Sequence, residues 1–271
     1  MHIIDPSRYP LAADAPYTPG VHSTWDAVTF ENSVDMRNII IVQPSIYGND
    51  NSALLDALKA LGPNRSRAVV VFDDTKIDNS TLQQWHTLGV RGVRLNLASV
   101  GADPDIESFK TTVSAYASLV KPLGWMVQIY ASMDILPGLE STIRDTPDVN
   151  FCFDHFAQPS KPKTNSTGPF DPYTITGFSS LITLLQEGNT WVKFSAPYRV
   201  ELDYDQLDAL AKEVLHVRSD RVVFATDWPH TRFEGLNIRP FEERVLEWAR
   251  EARSVDKVFS ANAKELWDVQ R

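Results

Sequence analysis

Asp227 and His230 close the run Val-Val-Phe-Ala-Thr-Asp-Trp-Pro-His at residues 222–230. The first half of the run is apolar and β-branched, so it reads as a buried strand delivering a carboxylate at its carboxyl end. In parallel α/β proteins that end carries the chemistry. A carboxylate there can take a proton from water or cap the following loop, and the motif alone leaves both readings open. Other strand-like runs also end on polar residues. Together they supply His2; Gln43, Ser45 and Tyr47; Arg94 and Asn96; Gln128 and Tyr130; Asp154 and His155; Ser195, Tyr198 and Arg199; and Asp227 with His230. Singly, each has a structural explanation: a satisfied histidine, an arginine paired with a helix carboxylate, a tyrosine plugging a barrel mouth. Jointly, two histidines, two arginines and a carboxylate on converging strands would be costly to bury without a ligand. Nearby arginines would keep Asp227 ionised, as a general base requires, and guanidinium suits planar carboxylates better than ammonium does.

The elements that must position these residues alternate. Helix periodicity or helix signals mark residues 24–34, 51–61, 80–88, 109–123, 135–146, 175–187, 204–216, 241–252 and 262–269. Between them lie strand-like runs ending near His2, Gln43, Phe72, Asn96, Tyr130, Asp154, Ser195 and Thr226. Eight strands, each separated from the next by room for one helix, predict a single-domain α/β (β/α)8 TIM barrel over residues 1–271. A doubly wound open sheet is the alternative, but the first βα turn has no glycine-rich phosphate loop. Residues 158–173 are rich in Pro, Lys and Ser and fall inside one βα unit, so they are expected to form an active-site loop rather than a linker. His22, His86 and His216 fall on helices or loops and receive no role. Asp73 and Asp74 read as solvated.

Composition narrows the function classes. A formal net charge of −9 and a pI near 5.1 disfavour nucleic acid, while a small anionic organic substrate is compatible with arginines gathered in a pocket. The single cysteine, Cys152, excludes an internal disulfide and a multi-cysteine metal site, and its apolar neighbours make it an inert buried thiol. No apolar run reaches the roughly 20 residues of a membrane span, and no signal peptide is evident, so a cytoplasmic location is expected. Oligomeric state is not defined by the sequence.

The segments His2-Ile-Ile-Asp-Pro, Gln43-Pro-Ser-Ile-Tyr-Gly-Asn-Asp-Asn51, Gly89-Val-Arg-Gly-Val-Arg-Leu-Asn96, Asp154-His155 and Thr226-Asp-Trp-Pro-His230 resemble the amidohydrolase superfamily, specifically its 2-pyrone-4,6-dicarboxylate lactonase-like branch. The resemblance runs through the whole chain. It implies a distorted TIM barrel that hydrolyses a cyclic ester bearing carboxylates. It further implies that Asp227 activates water and that His155 helps polarise the carbonyl, with His2 beside it. Arg94, Tyr130 and Arg199 match positions that hold substrate carboxylate or carbonyl groups, and Ser45, Tyr47 and Tyr17 are looser matches to the pocket. The family opens on His-x-His, of which this chain carries the second histidine, His2, so the first strand is expected to be a few residues short. The family's lactonase also carries an arginine where this chain has Val100, which argues against an identical dicarboxylate substrate.

Superfamily members with two metals use a carboxylated lysine and a further histidine on strands that here carry Arg94 with Asn96 and Gln128 with Tyr130, which argues against a binuclear site. The expectation is a lactonase without cofactor. The alternatives are a decarboxylase of an aromatic or unsaturated acid using one zinc or manganese ion on His2, His155 and Asp227, and a catalytically silent small-molecule binder.

Overall fold

The computed structural model describes residues 1–98, 101, 105–162 and 169–269. Seven parallel strands follow one another around a curled sheet in chain order: β1 (Ile39–Val42), β2 (Ser66–Val70), β3 (Val90–Asn96), β4 (Met126–Tyr130), β5 (Phe151–Phe153), β6 (Thr190–Phe194) and β7 (Val222–Phe224). The helices are α1 (Thr24–Ser33), α2 (Ser52–Leu61), α3 (Asn79–Leu88), α4 (Ile106–Val120), α5 (Leu136–Arg144), α6 (Phe178–Glu187), α7 (Tyr204–Arg218), α8 (Arg239–Glu251) and α9 (Asn262–Leu266). Their starts are written locally. Ser23 and Asp203 form capping boxes with Asp26 and Gln206, and Asp78 and Asp105 cap α3 and α4.

The eighth strand expected near His2 does not form as a strand of its own. Residues 1 and 2 lie between β1 and β7: Val42 N donates to Met1 O at 2.8 Å, and His2 N donates to Trp228 O at 2.9 Å. Met1 makes two contacts to β1, its amine also donating to Ile40 O at 3.0 Å, and His2 makes one to the segment after β7; this is too few for a strand, and the chain then turns away, with Ile4 bridging His22 antiparallel. The fold is therefore TIM-barrel-like, with His2 seated in the seam between the first and last strands.

Side chains alternate across each strand, so every second residue faces the barrel axis. The deepest inward layer is apolar: Val42, Val69, Met126, Cys152, Trp191 and Val223 pack with Leu266 and Trp267 from the C-terminal segment. Burial pushes the Cys152 thiol up to about 12, consistent with an inert packing role. Two residues further along the strands, the inward positions are Arg94, Gln128, Asp154 and Lys193, all buried. The outward residues meet the helices in one large apolar core.

Of the expected active-site loop, residues 163–168 lie outside the described residues, as does Val100. The end of that loop is fixed by Gly177, whose φ is +84° and whose position would place a Cβ 2.1 Å from the Met133 carbonyl oxygen after β4. Both the left-handed backbone and the contact exclude a side chain. Gly177→Ala is expected to lower the thermal midpoint by at least about 5 °C, measured by circular dichroism, since a displaced backbone contact costs on the order of 2 kcal/mol or more.

Candidate active site

Above the layer of Arg94 and Asp154, the strand ends and the loops beyond them form a cleft lined by His2, Tyr17, Pro44, Ser45, Arg94, Tyr130, His155, Arg199, Asp227, Thr231 and Arg232. Its free volume is about 20 Å³, room on the scale of one water. The backbone that presents it is unusual. Asp227 (φ 58°) and every residue from His155 to Gln158 (φ 50–61°) occupy the left-handed region without being glycine. Such conformations cost free energy and persist where surrounding contacts fix them. Here they turn the chain out of β5 and β7 so that His155 and Asp227 face the axis rather than continue the pleat.

Asp227 is the centre of the cleft. Its Oδ2 accepts from Arg199 Nε at 2.8 Å and from Tyr198 Oη at 2.9 Å. Its Oδ1 stands 3.9 Å from Nε2 of both His2 and His155. That separation is too long for a direct hydrogen bond and matches one bridged by a water. Burial alone would raise the Asp227 carboxyl, but the charges of His155, Arg199 and His2 and the Arg199 hydrogen bond outweigh it and hold the group well below the usual carboxylate range. The histidines contribute only when protonated, and their own values are displaced downward, so at neutral pH Arg199 is the cation that keeps Asp227 ionised. The Tyr198 hydroxyl is pushed up by burial and by the Asp227 charge, which keeps it a donor.

The proton positions on His2 follow from its partner. His2 Nδ1 lies 2.8 Å from the Val42 carbonyl, which can only accept, so Nδ1 carries the proton and Nε2 presents a lone pair to the cleft. Burial and the charges of the Met1 amine and Arg94 lower His2 to about 3, so it is neutral at pH 7. His155 is lowered by burial as well, and its Nδ1 is 2.8 Å from Ser195 Oγ. When Ser195 donates to that nitrogen, His155 Nε2 faces the cleft as a donor. Tyr130 stands edge-on to His155, with ring centroids 4.7 Å apart, and burial raises its hydroxyl.

Arg94 reaches the cleft but is already engaged. Its Nε and Nη2 donate to Asp154 Oδ2 at 3.2 and 3.1 Å, and Asp154 also accepts from Lys193 Nζ at 3.0 Å and from Gln128 Nε2 at 2.8–2.9 Å. Burial would raise the Asp154 carboxyl, yet Lys193, Arg94, His155 and Gln128 together hold it far below the usual range. Arg199, expected to bind substrate, likewise holds Asp227 through Nε and the Thr231 carbonyl through Nη2.

Of the ten site residues expected from sequence, eight line the cleft: Asp227, His155, His2, Arg94, Tyr130, Arg199, Ser45 and Tyr17. Two do not. The Tyr47 hydroxyl accepts from Asp5 N at 2.8 Å, and its ring packs beside Ile4, Ile46 and Ala53, so it anchors the N-terminal loop. His230 donates through Nε2 to the Thr226 carbonyl at 3.1 Å and packs its ring edge-on against Phe30 and Tyr198, so it braces the turn that carries Asp227. Sequence reasoning missed Thr231 and Arg232 in the cleft and Lys193, which holds Asp154 beneath it. Lys193 was detectable, because Trp191, Lys193 and Ser195 alternate onto one strand face; the other two sit in an irregular loop with no periodic signal.

As donors, His2 and His155 each present Nε2 at 3.9 Å from Asp227 Oδ1. Among the described residues no three His, Cys, Asp or Glu side chains are grouped as a metal would require, and one Asp227 oxygen is held by Tyr198 and Arg199.

The site is an ionised aspartate beside two neutral histidines at the carboxyl mouth of a TIM-barrel-like sheet, and the family and relatives of the chain make it a hydrolase. The chain belongs to the amidohydrolase family, whose profile matches residues 1–269. It is 28% identical over 241 residues to the 2-pyrone-4,6-dicarboxylate hydrolase of Comamonas testosteroni, covering 84% of this chain and 75% of that one. It is 25% identical over 246 residues to the 4-sulfomuconolactone hydrolase of Rhizobium radiobacter, covering 86% and 75% respectively. The crystal structure of a Pseudomonas putida protein provisionally designated a 2-pyrone-4,6-dicarboxylic acid hydrolase superposes with a TM-score of 0.80 at 26% identity, covering 100% of this chain and 96% of that one.

Two expectations follow from the geometry. Arg199→Met removes the ion pair that orients Asp227, so steady-state kinetics should show kcat falling at least about tenfold rather than a rise in KM alone. The second concerns pH. His2, His155 and His230 have folded values below their ordinary 6.5, so the unfolded chain binds more protons and their stabilisation, complete above pH 6.5, is lost as pH falls below it. Asp154 and Asp227 add a further loss only below about pH 4. Urea unfolding of His230→Gln should therefore show a shallower decline between pH 7 and 4.5 than the parent, by up to about 1.4 kcal/mol per pH unit.

Proposed function

We propose that the chain opens a small carboxylated lactone with a water activated by Asp227, without a metal ion. The observation that carries this reading is the division of labour on one carboxylate: Oδ2 is held by Arg199 and Tyr198, while Oδ1 is free beside two uncharged imidazoles.

A water in the gap donates one hydrogen to Asp227 Oδ1 and the other to His2 Nε2, both of which are acceptors. Its lone pair is then directed at the substrate rather than at the protein. As the water attacks the lactone carbonyl carbon, Asp227 takes its proton. The oxyanion that develops meets donors from His155 Nε2 and the Tyr130 hydroxyl. Collapse breaks the ring C–O bond, and Asp227 returns the proton to the departing ring oxygen, so that one water is added and a hydroxy acid, or its enol, is released. Arg199 keeps Asp227 ionised before the reaction and oriented during it. The names of the similar proteins, hydrolases of a pyrone dicarboxylate and of a sulfonated muconolactone, support an anionic lactone as the substrate class.

The test is hydrolysis of 2-pyrone-4,6-dicarboxylate, 4-sulfomuconolactone and their less charged analogues by chelator-treated protein whose metal content has been measured. Turnover that persists in metal-free protein supports the reading. Loss of turnover that zinc or manganese restores overturns the metal-free step, and recovery of every lactone unaltered overturns the reaction. Asp227→Asn should lower kcat by about a hundredfold or more with the fold retained, the scale of a lost general base.

A further inference from the structure

We propose that Arg232, carried by the loop after β7 and resting on Tyr17, is the residue that recognises a second anionic group of the substrate. The inference deepens the lactone reading and rests on it for the identity of the ring. The sequence pattern did not single out this residue.

The other cations of the cleft are already paired. Arg94 is bound to Asp154, which Lys193 also holds from beneath, and Arg199 is bound to Asp227. A substrate carboxylate can approach Arg94 or Arg199 only while sharing it with a buried protein carboxylate. Arg232 differs. It lines the same cleft, is exposed, and among the described residues has no Asp or Glu within ion-pair distance of its guanidinium. The guanidinium carbon instead lies 5.2 Å from the Tyr17 ring centroid, a cation–π contact that positions the charge without neutralising it. Tyr17 is itself tied to the same loop, its hydroxyl donating to Thr231 Oγ1 at 3.3 Å.

The charge balance agrees. With the histidines neutral, the cleft is lined by Arg94, Arg199 and Arg232 against Asp227, leaving its lining positive by two in a chain whose formal net charge is −9. A concave positive site in an acidic protein focuses its field on a multiply charged anion. The space agrees as well. With Arg232 and Tyr17 in place the cleft is narrow, about 20 Å³, so displacing a side chain at its rim would widen it for a substrate ring. Arg232 is the exposed member of the cleft and among the described residues its side chain is held by stacking alone, so it can leave Tyr17 and close on a ring carboxylate or sulfonate, whose planar or tripodal oxygens a guanidinium binds in two-point fashion.

The experiment compares the parent with Arg232→Met and Arg232→Lys, using benzene-1,3-dicarboxylate and benzoate as non-hydrolysable probes in calorimetric titrations, together with steady-state kinetics on any lactone the parent hydrolyses. Arg232→Met is expected to weaken the dicarboxylate about tenfold and benzoate by less than about twofold, with Arg232→Lys between them. KM for a doubly charged lactone should rise about tenfold, while its singly charged ester analogue shows little change. Equal weakening of both probes, no weakening of either, or no binding of the dicarboxylate to the parent would overturn the assignment. The probes bind without reacting, so a failure of the lactone reading appears as absent hydrolysis with the probe discrimination intact. Unchanged melting of both variants excludes a folding defect.

Discussion

Two carboxylates are buried on the axis of this barrel, and the chemistry depends on how each is compensated. Removing an ionised carboxylate from water costs several kcal/mol even after the protein relaxes. At about 3 Å and an effective dielectric near 20, an opposite charge returns about 5 kcal/mol. Asp154 has two such partners, Arg94 and Lys193, with Gln128 besides, and is fully satisfied. Asp227 has one, Arg199, with Tyr198 on the same oxygen. The deeper carboxylate is thus a fixed counter-charge that keeps Arg94 in place, and the shallower one retains an uncommitted oxygen. The two aspartates differ in the number of cations each faces, not in burial.

The same economy appears in the histidines. Both cleft imidazoles are kept neutral by burial, and each has its Nδ1 engaged behind it, His2 with the Val42 carbonyl and His155 with Ser195. Their Nε2 atoms are left for the cleft with defined capacities: an acceptor on His2, and on His155 a donor when Ser195 supplies the proton behind. A protonated pair beside Asp227 would form ion pairs and close the 3.9 Å gaps to its Oδ1. Neutrality keeps the gaps open. The left-handed backbone at His155 and Asp227 is the conformational cost of aiming both side chains inward at the point where the strands end.

How much of this could be read without the fold varies by residue. The alternation of apolar β-branched runs with amphipathic helices made the βα rhythm legible, and seven of the eight expected strands form, with ends within a few residues of those expected. The strand at His2 failed because two residues cannot propagate a ladder, although they occupy its place between β1 and β7. Polar residues at strand ends marked the cleft, since a parallel barrel gathers all such ends at one mouth. Tyr47 and His230 carry the same signal and turn away from it, one to Asp5 and the other to Thr226, because a strand end fixes neighbourhood but not side-chain direction beyond the last ladder contact.

The sequence by itself determined the class of fold, the mouth at which the polar side chains meet and the residue types available there, because periodicity and strand termini are local properties. Only the tertiary structure decided which charges are taken and which are free. Arg94, Arg199 and Arg232 are indistinguishable as letters in a chain. Their partners lie at Asp154, Asp227 and Tyr17, brought close by the closure of the sheet, and the roles of a held cation, an orienting cation and an available one follow from that pairing.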